Sequence, residues 1–216
     1  MTVGPDAGPD AVSAVAEFVA VMRRLRAECP WKQAQTHRSL VRYLLEETYE
    51  TVDAIDAGEV SGDWSHLAEE LGDVLLQVVF HAVIAEERGD FDLADVAEGI
   101  TAKMRRRNPH VFAADSTSGE TALDADAVNE IWQHVKATER LDKLDGRGID
   151  AGLPSALPAL LYADKVLERL AREGEPADVD PAAEDIGERL LALVAESRAA
   201  GVDPEQALRD VVRKRL

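Results

Sequence analysis

Two acidic segments of the sequence combine residue types and spacings that could do chemistry. Residues 45–50 read Leu-Glu-Glu-Thr-Tyr-Glu, and residues 67–73 read Leu-Ala-Glu-Glu-Leu-Gly-Asp. On a helix, side chains three residues apart share a face, so Glu47 projects with Glu50, and Glu70 projects with Asp73. Carboxylates without histidine or cysteine suit a hard cation, Mg²⁺ or Mn²⁺, and such an ion commonly also binds substrate phosphate. That chemistry is the working hypothesis.

Helical geometry places both pairs beside apolar stripes. The two carboxylates of each pair lie about 60° and 120° from a leucine of the stripe, Leu44 in the first segment and Leu67 in the second. We therefore expect both pairs to flank a buried seam, where like charges raise each other's pKa unless a cation joins them. A single Glu-x-x-Glu is ordinarily solvated surface. Two pairs with matching offsets favour a metal site. The stripes are Val41, Leu44, Leu45, Val52 and Ile55, then Leu67, Leu71, Val74 and Val78.

The acidic segments fall on two long helices joined by a short loop. We expect one helix over about residues 37–57, ending at Gly58, and the next over about 64–88, ending at Gly89. So short a connection makes the helices antiparallel neighbours. The two carboxylate pairs can then converge.

The rest of the chain also has helical periodicity. Asp10 and Asp92 are expected to cap helices over about residues 11–28 and 93–107, and further helices are expected over about 124–142 and up to residue 172. Trp31, after Cys29-Pro30, is interpreted as a packing anchor in a loop. These patterns predict an all-α fold.

Basic side chains are concentrated at residues 103–107 of an otherwise acidic chain. A helix dipole explains basic residues at a helix C-terminus, but Lys103, Arg106 and Arg107 also suit a triphosphate. Farther along, Trp132 and Lys136 lie one helical turn apart. They are either a buried indole with a snorkelling lysine or a pair of ligand contacts.

Composition excludes several classes of protein. The 216 residues carry a net charge of −18, with 42 acidic and 24 basic side chains, which argues against a general nucleic-acid binder. The one cysteine excludes an intramolecular disulfide and a cysteine-based zinc site. The first ten residues do not resemble a signal peptide, and no apolar run reaches about 18 residues. We expect a soluble, cytoplasmic protein with no membrane or nucleic-acid partner.

The pattern Glu46-Glu47-x-x-Glu50 followed by Glu70-x-x-Asp73 resembles the EExxE…ExxD signature of the MazG-type nucleoside triphosphate pyrophosphohydrolases. Cys-Pro-Trp at 29–31, Gln-Thr-His at 35–37 and Arg-Arg-Asn-Pro-His-Val-Phe at 106–112 extend the resemblance, which covers roughly residues 12–172. It implies a MazG-like helical bundle, Mg²⁺ as cofactor and a homodimer or dimer of dimers. It also implies hydrolysis of a nucleoside triphosphate to the monophosphate and pyrophosphate, with water attacking the α-phosphorus.

The resemblance further implies roles for individual side chains. Glu46 would position the attacking water or accept its proton. The other catalytic and metal-binding residues would be Glu47, Glu50, Glu70 and Asp73. The substrate contacts would be Lys103, Arg106, Arg107, Trp132 and Lys136. The family acts on canonical and altered nucleotides, so a housecleaning role is implied, and no residue selects a base.

We expect four parts along the chain: a disordered N-terminus (1–10), a MazG catalytic domain (11–144), a linker (145–156) and a C-terminal helical part (157–216). The last part is interpreted as a short degenerate second MazG-like unit, because residues 183–191 align weakly with 68–76 and no EExxE precedes them. A role in packing or oligomerisation is expected there.

Two other classes stay open. A di-iron carboxylate bundle also clusters glutamates on helices, but it uses Glu-x-x-His pairs, which neither acidic segment supplies. A nucleotide-sensing or interaction module would keep the fold without turnover, since fold alone does not imply function. Turnover, as against binding alone, separates that module from the enzyme.

Overall fold

A computed structural model describes residues 9–112, 124, 127–133, 135 and 148–215. Regular structure in these residues is helical and includes no strand, so the predicted all-α fold is confirmed. The chain divides into two compact units, Met1–Glu120 and Thr121–Leu216, and each is described by itself. None of the described helices is both long and apolar enough to cross a bilayer.

The first unit contains six helices. They are α1 (Pro9–Glu28), α2 (Pro30–Ala34), α3 (His37–Ser61), α4 (Ser65–Arg88), α5 (Leu93–Arg107) and α6 (Pro109–Phe112). The core lies where α1 and the start of α3 pack on the second half of α4. Its buried residues are Val19, Met22, Leu40, Val79, Phe80, Val83 and Ile84.

Local signals account for most helix ends. Thr36 caps α3, with a reciprocal hydrogen bond to Ser39, and Asp92 caps α5 in the same way with Asp95. Helix α4 ends at Gly89, whose φ of 72° is left-handed. The predicted starts of α3 and α5 and the predicted end of α4 are confirmed.

The predicted end of α3 at Gly58 is wrong. The helix continues to Ser61 and ends at Gly62, whose φ is 75°. Gly58 is buried inside the helix, and a Cβ there would lie 2.5 Å from Cε3 of Trp64. This glycine is therefore required for close packing with the Trp64 ring rather than for helix termination.

The segment between α1 and α3 is more ordered than the sequence predicted. Trp31 lies on the short helix α2 rather than in a loop, and its side chain is 49% exposed. Its ring meets that of Tyr43 edge to face, with centroids 6.0 Å apart. Trp31 therefore packs on Tyr43 while half of its surface stays exposed, and its predicted position in a loop is wrong.

Arg26 fixes this segment, and sequence reasoning missed it. Its side chain is 9% exposed and binds Glu87 through two hydrogen bonds, one of 2.8 Å from Nε. Its Nη1 donates to the backbone carbonyls of Lys32, Gln33 and Gln35. One guanidinium thus ties α1, the α2 segment and the end of α4 together, and the ion pair lowers the pKa of Glu87.

The second unit contains α7 (Ala159–Arg172), α8 (Ile186–Ala199) and α9 (Pro204–Arg213), together with helical residues 127–133. Asp164 of α7 accepts a 3.1 Å hydrogen bond from Arg198 of α8. Buried Glu168 is paired with Lys165 and Arg172. Disorder was predicted for residues 1–10, but Pro9 and Asp10 already belong to α1, so Asp10 lies inside that helix and does not precede it as a cap. Residues 1–8 and the predicted helical residues 136–142 lie outside the described residues. The four predicted domain boundaries and the degenerate second unit stay predictions.

Candidate functional site

Helices α3 and α4 bring the acidic segments together. The contacts His37–His81 and Gly58–Trp64 lie at opposite ends of the pair, so the helices are antiparallel. Between these ends, Glu47, Glu70 and Asp73 each offer a carboxylate oxygen within 4.8 Å of the other two. We call these three residues the acidic cluster.

The cluster is partly withdrawn from water. Glu70 is 7% exposed, and Glu47 and Asp73 are half-buried. Burial raises the pKa of Glu47, and the charge of Asp73, a hydrogen bond with Glu50 and the charges of Glu50 and Glu70 raise it further. The structure thus shows the carboxylate repulsion that the sequence led us to expect.

The donor set fits a hard divalent ion. All its ligands are carboxylate oxygens, which Mg²⁺ prefers. The three candidate ligand oxygens lie within 4.8 Å of one another, so these side chains could contact a single ion. A cation would also offset the repulsion that raises the pKa of Glu47.

Three further residues are close to the cluster in sequence. Glu50 is exposed and its side chain reaches Glu47. Glu46 is exposed on another side of α3, with Arg42 3.4 Å away. Sequence reasoning missed His66, whose Nδ1 lies 3.4 Å from Oε1 of Glu70; the four-residue spacing on α4 was the available signal.

The predicted phosphate contacts are distributed over both units. Lys103 and Arg107 are half-buried and Arg106 is exposed, all in the last turns of α5. Trp132 is half-buried in the second unit, and Lys136 lies outside the described residues. The roles of these residues, like those of the carboxylates, stay predictions.

In the single chain the carboxylates do not flank a buried seam, so that prediction is wrong. Leu45 and Leu71 are each 52% exposed, and Val41, Leu44, Ile55, Leu75 and Val78 are exposed too. Burial on α3 instead runs through Leu40, Ala54 and Gly58. The core covers only the start of α3 and the second half of α4, so the apolar side chains beside the cluster stay in contact with water.

Comparison with known proteins decides the family. The MazG nucleotide pyrophosphohydrolase domain matches residues 35–112, which include the whole acidic cluster. A Thermotoga maritima protein named nucleoside triphosphate pyrophosphohydrolase/pyrophosphatase MazG is 38% identical over 221 residues, covering 92% of this chain and 81% of the relative. The chain belongs to the MazG family.

Other relatives agree with this assignment to the MazG family. A Mycolicibacterium smegmatis nucleoside triphosphate pyrophosphohydrolase is 41% identical over 91% of this chain, which spans 55% of that relative. An uncharacterised 26.1 kDa protein of Streptomyces cacaoi is 43% identical over 89% of this chain and 76% of its own length. The predicted resemblance and enzyme class, nucleoside triphosphate pyrophosphohydrolase, are confirmed, and MazG membership argues against a di-iron bundle.

Proposed function

We propose that this protein hydrolyses (deoxy)nucleoside triphosphates to monophosphates and pyrophosphate with Mg²⁺, for which Mn²⁺ can substitute. The supporting observation is the convergence of Glu47, Glu70 and Asp73 within 4.8 Å, inside the segment that matches the MazG domain. Phosphoryl chemistry needs positioning and charge neutralisation more than covalent catalysis. Clustered carboxylates with a cation provide both.

Each carboxylate has a role in the proposal. Glu47, Glu70 and Asp73, together with neighbouring Glu50, would hold the cation, and a bound cation would neutralise substrate oxygens and lower the pKa of water. Glu46 orients the attacking water and accepts its proton. Glu46 lies outside the acidic cluster and beside Arg42, so it is not needed as a cation ligand.

The basic residues bind the β- and γ-phosphates, which leave as pyrophosphate. Lys103 acts as a point charge on the β- and γ-phosphates, while Arg106 and Arg107 present planar forks to them. Trp132 contacts the nucleoside and Lys136 contacts the phosphates. These four positive groups would locally offset the repulsion between a triphosphate and a chain of net charge −18.

The proposed biological role is nucleotide-pool housecleaning on canonical or altered nucleotides. The second candidate, a nucleotide sensor with the same fold, would bind without turnover. The convergence of the acidic cluster favours the enzyme. The cytoplasmic location stays a prediction.

We propose a homodimer or dimer of dimers. The support is the apolar surface around Leu45 and Leu71, which flanks the acidic cluster and is exposed in the single chain. Exposed apolar patches of this kind mark protein interfaces. Light scattering on the wild type and Leu71→Glu tests the assembly, and a wild-type monomer would contradict it.

Pyrophosphate release tests the proposed reaction. The substrates are a panel of NTPs and dNTPs, including oxidised and methylated bases, with and without Mg²⁺. We expect Mg²⁺-dependent release that Asp73→Asn abolishes and the matched variant Glu69→Gln, an exposed carboxylate on the same helix, retains. Nucleotide binding by the folded wild type without turnover would instead support the sensor.

A further inference from the structure

A histidine pair joins α3 and α4 at the end of the interface away from the α3–α4 loop. Nδ1 of His37, the first residue of α3, lies 2.8 Å from Nδ1 of His81 on α4. The ring planes differ by 3° and the centroids stand 5.1 Å apart. With two ring nitrogens so close, the parallel rings meet edge to edge, as an N–H···N hydrogen bond requires.

This hydrogen bond needs one proton between two nitrogens. A neutral pair or a singly charged pair keeps it, whereas a doubly charged pair places a proton on both Nδ1 atoms and breaks it. Burial lowers the pKa of His81, and the charge of His37 lowers it further. His37 also lies at the positive end of the α3 dipole, which disfavours a second charge.

The charged groups that neighbouring helices bring to this end of the unit are largely engaged with each other. Arg23 and Arg26 of α1 pair with Glu86 and Glu87 of α4, and Lys32 of α2 lies over the Phe80 ring. Asp92 and Asp95 hold the cap of α5. Among the described residues, none of these groups contributes to the shift at His81.

The pair is a costly way to fill a helix interface. Nε2 of His81 and Oε1 of Gln77, one helical turn away, are buried and have no hydrogen-bond partner among the described protein groups. Unsatisfied buried polar atoms destabilise a fold. An apolar pair would pack without that penalty, which indicates a use other than stability.

The pair shares its helices with the acidic cluster. His81 lies eleven residues after Glu70, about 20° from it around α4, and eight residues, or about 12 Å, beyond Asp73. On α3, His37 lies ten residues before Glu47. Because helices are stiff, the spacing of α3 and α4 at the histidines constrains their spacing at the carboxylates.

We propose that the His37–His81 pair is a pH-sensitive clamp that positions the acidic cluster for Mg²⁺. The clamp holds while the pair carries at most one positive charge, and it opens when acid protonates both rings. The inference rests on the proposed metal site. It makes His37 and His81 positioning residues rather than catalytic ones.

The test compares Mg²⁺ affinity, measured by calorimetry at pH 7.5 and 5.5, in the wild-type chain and in His81→Asn. The asparagine amide nitrogen occupies the position of Nδ1 and keeps a hydrogen-bonding group that does not titrate. We expect acid to raise the dissociation constant at least about fivefold more in the wild type than in the variant. Protonation of the acidic cluster itself lowers the Mg²⁺ affinity of both proteins, so its effect cancels when their pH responses are compared. His37→Asn provides a second non-titrating variant.

A matched control separates positioning from stability. Leu40→Ala removes a buried side chain of α3 one turn from His37, so it should lower the melting temperature and keep the wild-type pH response of Mg²⁺ affinity. Equal responses in the wild type and both asparagine variants would overturn the clamp.

A metal-independent measurement distinguishes the clamp from the proposed function. In ¹⁵N-detected histidine spectra, we expect one Nδ1–H···Nδ1 proton in the wild type that is lost on acidification. Two independently titrating imidazoles would overturn the clamp even if Mg²⁺ binds. Absence of Mg²⁺ binding at both pH values, with the shared proton present, would contradict the proposed metal site and with it the positioning role.

Discussion

Replacing Glu47 with glutamine should stabilise the cation-free protein. The variant removes one charge from a cluster whose oxygens lie within 4.8 Å of each other. At that distance, two like charges repel by about 0.9 kcal/mol at the dielectric constant of water and about 3.5 kcal/mol at an effective value near 20. Since Glu47 and Asp73 are half-exposed, the lower figure applies to their repulsion, and it is a minimum for the repulsion between Glu47 and buried Glu70. The two repulsions together give about 1.7 kcal/mol, the glutamine amide can still donate to Glu50, and screening by salt reduces the expected net gain to about 1 kcal/mol, or about 3 °C in melting temperature.

The sign of the pH dependence follows from the raised pKa of Glu47. A carboxyl whose folded pKa lies above its unfolded value contributes stability that is present below the unfolded pKa and is lost as the pH rises through the folded one. The variant should therefore have a higher melting temperature than the wild type at pH 7.5 with EDTA, and this difference in melting temperature should vanish near pH 4. Thermal unfolding followed by circular dichroism measures both.

With Mg²⁺ present, the wild type should become more stable than Glu47→Gln. A ligand at one hundred times its dissociation constant stabilises by about 2.7 kcal/mol, and Glu47→Gln should lose most of that gain. Glu69→Gln, an exposed carboxylate beside Glu70, makes the same change in charge outside the cluster and should keep the Mg²⁺ response. A cation-free Glu47→Gln less stable than the wild type, with an unchanged Mg²⁺ response, would refute the electrostatic reasoning.

Three further substitutions test the framework that carries the site. Gly58→Ala places a methyl group against the Trp64 ring and should lower the free energy of unfolding by about 1–3 kcal/mol, whereas unchanged denaturant unfolding would contradict this packing. Arg26→Met leaves Glu87 and three carbonyls without their donor and should expose the α2 segment to faster hydrogen exchange, whereas wild-type exchange would contradict the role of Arg26 in holding this segment. Asp92→Ala removes the cap of α5 and should lower stability by about 1 kcal/mol, checked by denaturant midpoint, and no change would show that the cap is dispensable.

Features encoded within a few residues were predictable from the sequence. Thr36 and Asp92 cap their helices through side chains that bind backbone three residues on, and Gly89 ends α4 by its left-handed backbone. The approach of Glu47 to Glu70 and Asp73 followed from helical periodicity and a short connection. In these cases, residues that are close in sequence determine the local structure.

Features that depend on distant residues were not predictable. Gly58 looks like a helix stop, but the Trp64 ring requires a glycine inside the helix. His37 and His81 are 44 residues apart, and no periodicity relates them. The exposure of Leu45 and Leu71 depends on what covers α3 and α4, which a pattern of apolar residues does not specify.

The position of water attack tests the central claim most directly. A nucleoside triphosphate is hydrolysed with Mg²⁺ in ¹⁸O-labelled water, and mass spectrometry locates the label. Attack at the α-phosphorus, as we propose, places one ¹⁸O atom in each nucleoside monophosphate and none in pyrophosphate. Label in pyrophosphate, or release of labelled orthophosphate, would contradict the assigned reaction.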